Sequence, residues 1–172
     1  MLKNKIILKK NNNKKNIAYY KYMKKNIYFY IGAIVLVAIL GTVFTQLGMQ
    51  WFDGLEKPTE WIPSFIIPIV WTIIYLAFAV IGVIWLSRKN FSSENIVLFI
   101  VNGALNVLWC LMFFTFKLLF VGNVIIIINT LFALRLWFEI AKEKPLYGYI
   151  LSIYPIWLCI ATTLNIALWI LN

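Results

Sequence analysis

Residues 96–116 read IVLFIVNGALNVLWCLMFFTF, a run with no Asp, Glu, Lys or Arg anywhere in it. About 20 helical residues cross the roughly 30 Å of hydrocarbon in a bilayer, so this run is long enough to span one. Working outward, residues 27–50, 65–86 and 146–171 are equally free of charge, and 118–138 contains only Arg135 near its end. A chain of buried helices in water would need polar faces, which these runs lack. The reading is an all-α polytopic membrane protein: a bundle of five transmembrane helices in residues 27–172, preceded by a Lys/Asn-rich arm over residues 1–26.

Composition agrees. Of 172 residues 63% are apolar and 13% charged, with a mean hydropathy of +0.85, whereas a soluble domain is about 45–50% apolar and about a quarter charged. The chain has no histidine and two cysteines in separate uncharged stretches. That excludes the usual zinc sites, a His-based triad, a His-ligated haem and a disulfide framework. No catalytic residue and no metal ligand set is assigned. The first apolar run is too long and too late for a cleavable signal peptide.

Nine of the sixteen basic residues lie in the first 26 positions. With Arg88, Lys89, Lys142 and Lys144 they place the N-terminus in the cytoplasm and the C-terminus outside, leaving Lys57 and Lys117 on the outer side. The arm reads as disordered or lying on the anionic inner surface; no nucleic-acid role is assigned to it. The membrane is taken to be that of a bacterial cell. Between the first two spans, WFDGLEKPTEWIPS (51–64) is too rich in Pro, Gly and charge for a helix in lipid, and reads as a cap over the outer mouth or as an interfacial aromatic belt. The TFKLL turn (115–119) makes spans three and four an antiparallel hairpin.

At 100° per residue, Trp71, Tyr75, Phe78, Gly82 and Trp85 fall within about 80° on span two, and Asn102, Asn106, Trp109 and Phe113 within about 60° on span three. On span five, Tyr154, Trp157, Ala161 and Asn165 share one face, with Pro155 adding a bend. Gly41, Thr45 and Gly48 of span one either permit close helix approach or leave room at the centre. These faces describe a ring-lined cavity for a large, flat, apolar molecule. They are equally compatible with Asn102, Asn106 and Asn165 joining helices by hydrogen bonds while the rings fill the core. No span contains a carboxylate, which disfavours ion-coupled transport. Arg135 either snorkels and pairs with Glu139 or meets an acidic ligand group.

Four segments resemble the TspO/MBR family, the tryptophan-rich sensory proteins related to the mitochondrial translocator protein (peripheral-type benzodiazepine receptor). They are Trp51-Phe-Asp-Gly-Leu55-Glu-Lys57-Pro58 with Trp61, Pro63 and Pro68-Ile-Val-Trp71-Thr72; Asn106-Val-Leu-Trp109-Cys-Leu-Met-Phe113-Phe114; Tyr154 with Trp157, Ala161, Leu164 and Asn165; and the closing Trp169-Ile-Leu-Asn172. Local departures concern the loop. Trp61 comes one place late, Ile62 stands where a proline is usual, Pro68 is one place early, Pro155 follows Tyr154 rather than preceding it, and Ile160 replaces a common Phe. No Lys or Arg follows Lys144, so the family's cholesterol pattern is not implied.

The resemblance implies a five-helix protein, commonly a homodimer, that binds tetrapyrroles such as protoporphyrin IX and haem, and benzodiazepine or isoquinoline-carboxamide ligands. No cofactor is required; the tetrapyrrole is the ligand. The implied pocket lies among the five helices beneath the first loop, with Trp71, Asn106, Trp109, Trp157, Ala161 and Asn165 meeting the ligand and Trp51 and Trp61 as its lid. Tyr75, Asn102 and Tyr154, on the same inward faces, complete the expected set. Porphyrin sensing, transport and light- and oxygen-dependent degradation are all consistent with it. Cys110, about 100° off the inner stripe of span three, is not expected to ligate haem iron. The small residues Gly103, Ala104 and Gly122 are the expected dimer surface.

Overall fold

The computed structural model describes residues 2–58, 62–63, 65–87 and 93–172. The helices are α1 (Leu2–Asp53), α2 (Ile66–Ser87), α3 (Ser93–Cys110, extended by a π-helical turn over Leu111–Thr115), α4 (Leu119–Glu143), α5 (Pro145–Leu151) and α6 (Ile153–Leu171). Five segments cross the membrane: Lys24–Asp53, Ile66–Ile84, Glu94–Thr115, Leu119–Glu143, and Pro145–Leu171, which comprises α5 and α6. The protein is integral to the membrane. Helices are the solution because each backbone N–H and C=O must be satisfied within its own segment in hydrocarbon. The backbone of α1 begins at Leu2 and runs into the first span without interruption.

The helices form a ring. α1 packs against α2 and α3, α3 against α4, α4 against α5 and α6, and α2 closes the circle on α5 and α6. Among the described residues, α2 and α3 make no close backbone contact. They are bridged by side chains instead: the Phe78 ring lies 6.0 Å from that of Phe99 and 5.2 Å, edge-on, from that of Tyr154.

Each turn has a local cause. After α3, the Phe116 amide bonds to the Leu111 carbonyl at 2.9 Å, and the wider turn lets the consecutive rings of Phe113 and Phe114 both enter the core. Lys117 then takes a left-handed conformation with φ of 61°, and the Leu118 amide returns to the Met112 carbonyl. This is the short antiparallel connection expected from TFKLL. The fifth span breaks at Ser152, just after the carbonyl that the Pro155 ring would crowd, as the expected bend requires. Arg135 pairs with Glu139 at 2.8 Å, as one of its two readings had it, and also reaches Glu94 of α3 at 3.1 Å.

The first loop is tied to the C-terminus. Asn172 accepts from the Glu56 amide at 2.9 Å and donates to the Glu56 carbonyl at 3.1 Å, while Leu55 and Ile62 rest on the core. The described part of the loop therefore caps the bundle.

Glycines set the approach of α1 at both ends. A Cβ at Gly48 would collide with the Phe114 backbone of the π turn, and one at Gly82 would collide with the ring of Tyr30, whose hydroxyl bonds to the Phe78 carbonyl at 3.0 Å. Gly103 faces Val37 and Gly122 is covered by Phe113, so these two are spent on packing within the chain rather than on an outer surface. Gly48→Val is expected to lower stability by about 1–3 kcal/mol in thermal unfolding in detergent, because its neighbour is backbone and cannot yield. Gly32→Ala, which meets nothing within 4 Å, serves as the control and should be neutral or stabilising.

Candidate functional site

The gap between α2 and α3 holds a cavity of about 360 Å³. Gly41, Thr45, Met49 and Phe52 of α1 form one wall, Trp71 and Tyr75 of α2 the second, and Asn106, Trp109, Cys110 and Phe114 of α3 and its π turn the third. Thr42, Gln46 and Thr72 also line it and are exposed, so the cavity opens on the seam between α1 and α2. The hydroxyls of Thr42 and Thr72 bond to the Ala38 and Pro68 carbonyls of their own helices, so the polar side chain the rim presents is the Gln46 amide.

The rings are fixed by one another. Trp71 stacks on Tyr75 with centroids 5.7 Å apart, and Trp109 stacks on Phe113 at 5.7 Å while meeting Phe114 edge-on at 5.6 Å. The Trp109 indole N–H is buried and has no acceptor within the described residues. The Trp157 indole N–H, away from both cavities, is in the same state, so the Trp109 ring contributes its apolar surface rather than this donor to the cavity wall.

A smaller space of about 40 Å³ lies on the far side of Tyr75 and Asn106, lined also by Asn102 and Tyr154. Here the amides of α3 meet α6: Asn106 donates to the Tyr154 hydroxyl at 3.4 Å, and that hydroxyl donates to Asn102 Oδ1 at 3.2 Å. Asn102 Nδ2 returns to the Leu98 carbonyl at 2.8 Å. Both readings of these amides are thus realised in part, since Asn102 joins helices while Asn106 does so and also lines the larger cavity.

Of the expected site residues, Trp71, Tyr75, Asn106 and Trp109 come together around the larger cavity, and Asn102 and Tyr154 border the smaller one. Trp157 and Asn165 are buried and Ala161 packs against the core, but none of the three lines either cavity. The reason is the ring order, which places α6 beside α4, where Thr162 meets Thr130 at 3.1 Å. Trp51 lies edge-on to Phe113 at 6.1 Å, under the cap; Trp61 lies outside the described residues.

Sequence reasoning missed Cys110, Met49, Phe52 and the rim residues. The wheel of span three was centred on its amides, whereas α1 packs on the adjoining face, and Cys110 points there: its Sγ lies 3.6 Å from where a Gly41 Cβ would be. Gly41 and Thr45 leave room, whereas Gly48 permits close approach, so span one uses its small residues in both ways.

Fold and site define a class: a five-span membrane protein with a ring-lined cavity inside the bilayer. Residues 30–170 match the model of the TspO/MBR family, and the chain belongs to that family. Among its relatives, the tryptophan-rich protein TspO of Chlorobaculum tepidum is 28% identical over 148 residues, covering 83% of this chain and 92% of the relative. The protein of the same name from Archaeoglobus fulgidus is 28% identical over 145 residues, with 81% and 92% covered. The pig (Sus scrofa) translocator protein is 29% identical over 129 residues, with 71% and 75% covered.

Tyr154→Phe removes the hydroxyl that joins Asn102 to Asn106. It is expected to cost about 1–2 kcal/mol in thermal unfolding, and an unchanged midpoint would show that this bridge carries no stability.

Proposed function

We propose that the protein binds tetrapyrroles, protoporphyrin IX and haem, as well as planar apolar ligands of the benzodiazepine type, in the cavity between α1, α2 and α3. The observation that carries the reading is the wall itself: stacked Trp71 and Tyr75 together with Trp109 and Phe114, around a volume in the range of small-molecule sites. Rings supply dispersion and hydrophobic enclosure for a flat macrocycle. The Asn106 amide supplies direction for a propionate or carbonyl. Membership of the family and the name of its translocator relatives support a receptor or transport role.

The opening on the α1–α2 seam favours transport as a second reading, because an apolar ligand could enter from lipid without crossing water. A light- and oxygen-dependent conversion would use the same rings as electron donors and needs no histidine. In either case the protein is proposed to sit with its N-terminus in the cytoplasm and its cap outside, to lie in a bacterial membrane and to form a homodimer.

Titration of the purified protein with protoporphyrin IX in the dark, followed by tryptophan quenching and the Soret band, tests the reading. Saturable binding is expected, weakened about tenfold or more by Trp71→Phe and changed less than about twofold by Trp157→Phe. The reverse pattern would move the site to α6, and no saturable binding would reject it. A product spectrum that appears only under illumination would mark the conversion.

A further inference from the structure

The larger cavity opens sideways, on the seam between α1 and α2, within the membrane-spanning part of both helices. The span of α1 ends at Asp53, and Gln46 on the rim stands two turns before it, about 10 Å along the axis. The interfacial layer on each side of a bilayer is about 5–7 Å thick, so the Gln46 backbone lies just inside the hydrocarbon and its side chain reaches the level of the glycerol esters. Gln46 is exposed there, and no group among the described residues takes up its amide. An amide left without a partner in hydrocarbon is costly, which marks this point of the rim as one that meets a polar group. The hydroxyls of Thr42 and Thr72 beside it are already satisfied within their own helices.

Behind the rim the walls are mainly apolar, formed by Met49, Phe52, Trp71, Trp109 and Phe114. An apolar space of this kind excludes water, and left unfilled it forfeits the dispersion contacts of its lining. Open to the bilayer and about 360 Å³ in volume, it is filled by hydrocarbon.

We infer that, in the absence of a planar ligand, the cavity holds one acyl chain of a membrane glycerolipid, and that the Gln46 amide donates a hydrogen bond to the ester carbonyl of that chain at the rim. One molecule meets both demands: its chain needs an apolar slot open to lipid, and its carbonyl accepts from the free donor at the mouth of that slot. A free fatty acid would bring the same chain, but its carboxylate would find no cation, since none of the residues lining the cavity is charged. The inference goes beyond the tetrapyrrole reading and does not depend on it; a planar ligand entering by the seam displaces the chain.

The test uses the full-length protein in nanodiscs made from equal parts of a diacyl phosphatidylcholine and its ether-linked dialkyl analogue, which lacks the ester carbonyl. After release into mild detergent, native mass spectrometry counts the retained lipids and tells the two apart by mass. The expected result is one firmly retained lipid per chain, with the ester form favoured about fivefold, the worth of one hydrogen bond. Gln46→Leu, a change at an exposed position, should bring that ratio to within about twofold of unity. Gly41→Leu places a side chain in the cavity and should abolish the retained lipid, with a thermal unfolding scan confirming that the variant is folded. Equal retention of the two lipids by the unaltered protein, or an ester preference that survives Gln46→Leu, would overturn the assignment to Gln46. Undiminished retention in folded Gly41→Leu would place the lipid outside the cavity and overturn the inference. None of these outcomes involves porphyrin, so failure here and failure of the tetrapyrrole reading are told apart.

Discussion

The contact between Gly48 of α1 and the Phe114 backbone of the π turn is the constraint on which the rest of the bundle depends. It draws α1 onto the C-terminal end of α3, where Thr115 adds a 2.9 Å bond to the Phe44 carbonyl. At the other end, the Tyr30 ring lies on Gly82 and draws α1 onto α2. Held at both ends, α1 bridges two helices whose backbones do not come close to each other. The cavity is the space left between those two contacts, and Gly41, about midway, keeps it open. Two glycines close the structure, and a third leaves room for a ligand.

In hydrocarbon there is no hydrophobic gain from bringing apolar helices together, so packing and hydrogen bonds must do the joining. The polar joins include Tyr154 between Asn102 and Asn106, Thr130 with Thr162, Arg135 with Glu94, and Trp137 Nε1 donating to the Gly148 carbonyl at 2.8 Å. α2 is joined through rings, Trp71 and Phe78 to Tyr154, and through the Tyr30 bond to its backbone. The aromatic contact that substitutes for backbone packing between α2 and α3, Phe78 on Phe99, borders the smaller space beside the site.

The spans were legible because charge in lipid is so costly that its absence over 20 or so residues is a clear signal, and all five appear where the uncharged runs lie. The inward faces of α2 and α3 were legible from 100° periodicity: Asn102, Asn106, Trp109 and Phe113 are all buried. What periodicity does not contain is which helix stands beside which. Tyr154, Trp157 and Asn165 share an inward face as expected, yet the ring order turns most of it toward α4 and lets only Tyr154 border a cavity. The same ignorance hid Cys110, which joins the cavity wall because α1 lies against the adjoining face of α3. The π turn also escaped, because it answers to the need to bury Phe113 and Phe114 together, a tertiary demand with no local signature.

The central claim is that the ligand lies between α1, α2 and α3. Photo-crosslinking with a photoreactive porphyrin, followed by mass-spectrometric mapping of the modified peptides, tests it most directly. The account predicts adducts confined to the walls around Gly41–Phe52, Ile67–Tyr75 and Asn106–Phe114. Adducts concentrated on Trp157–Asn165 of α6, or spread over the lipid-facing surface, would contradict it.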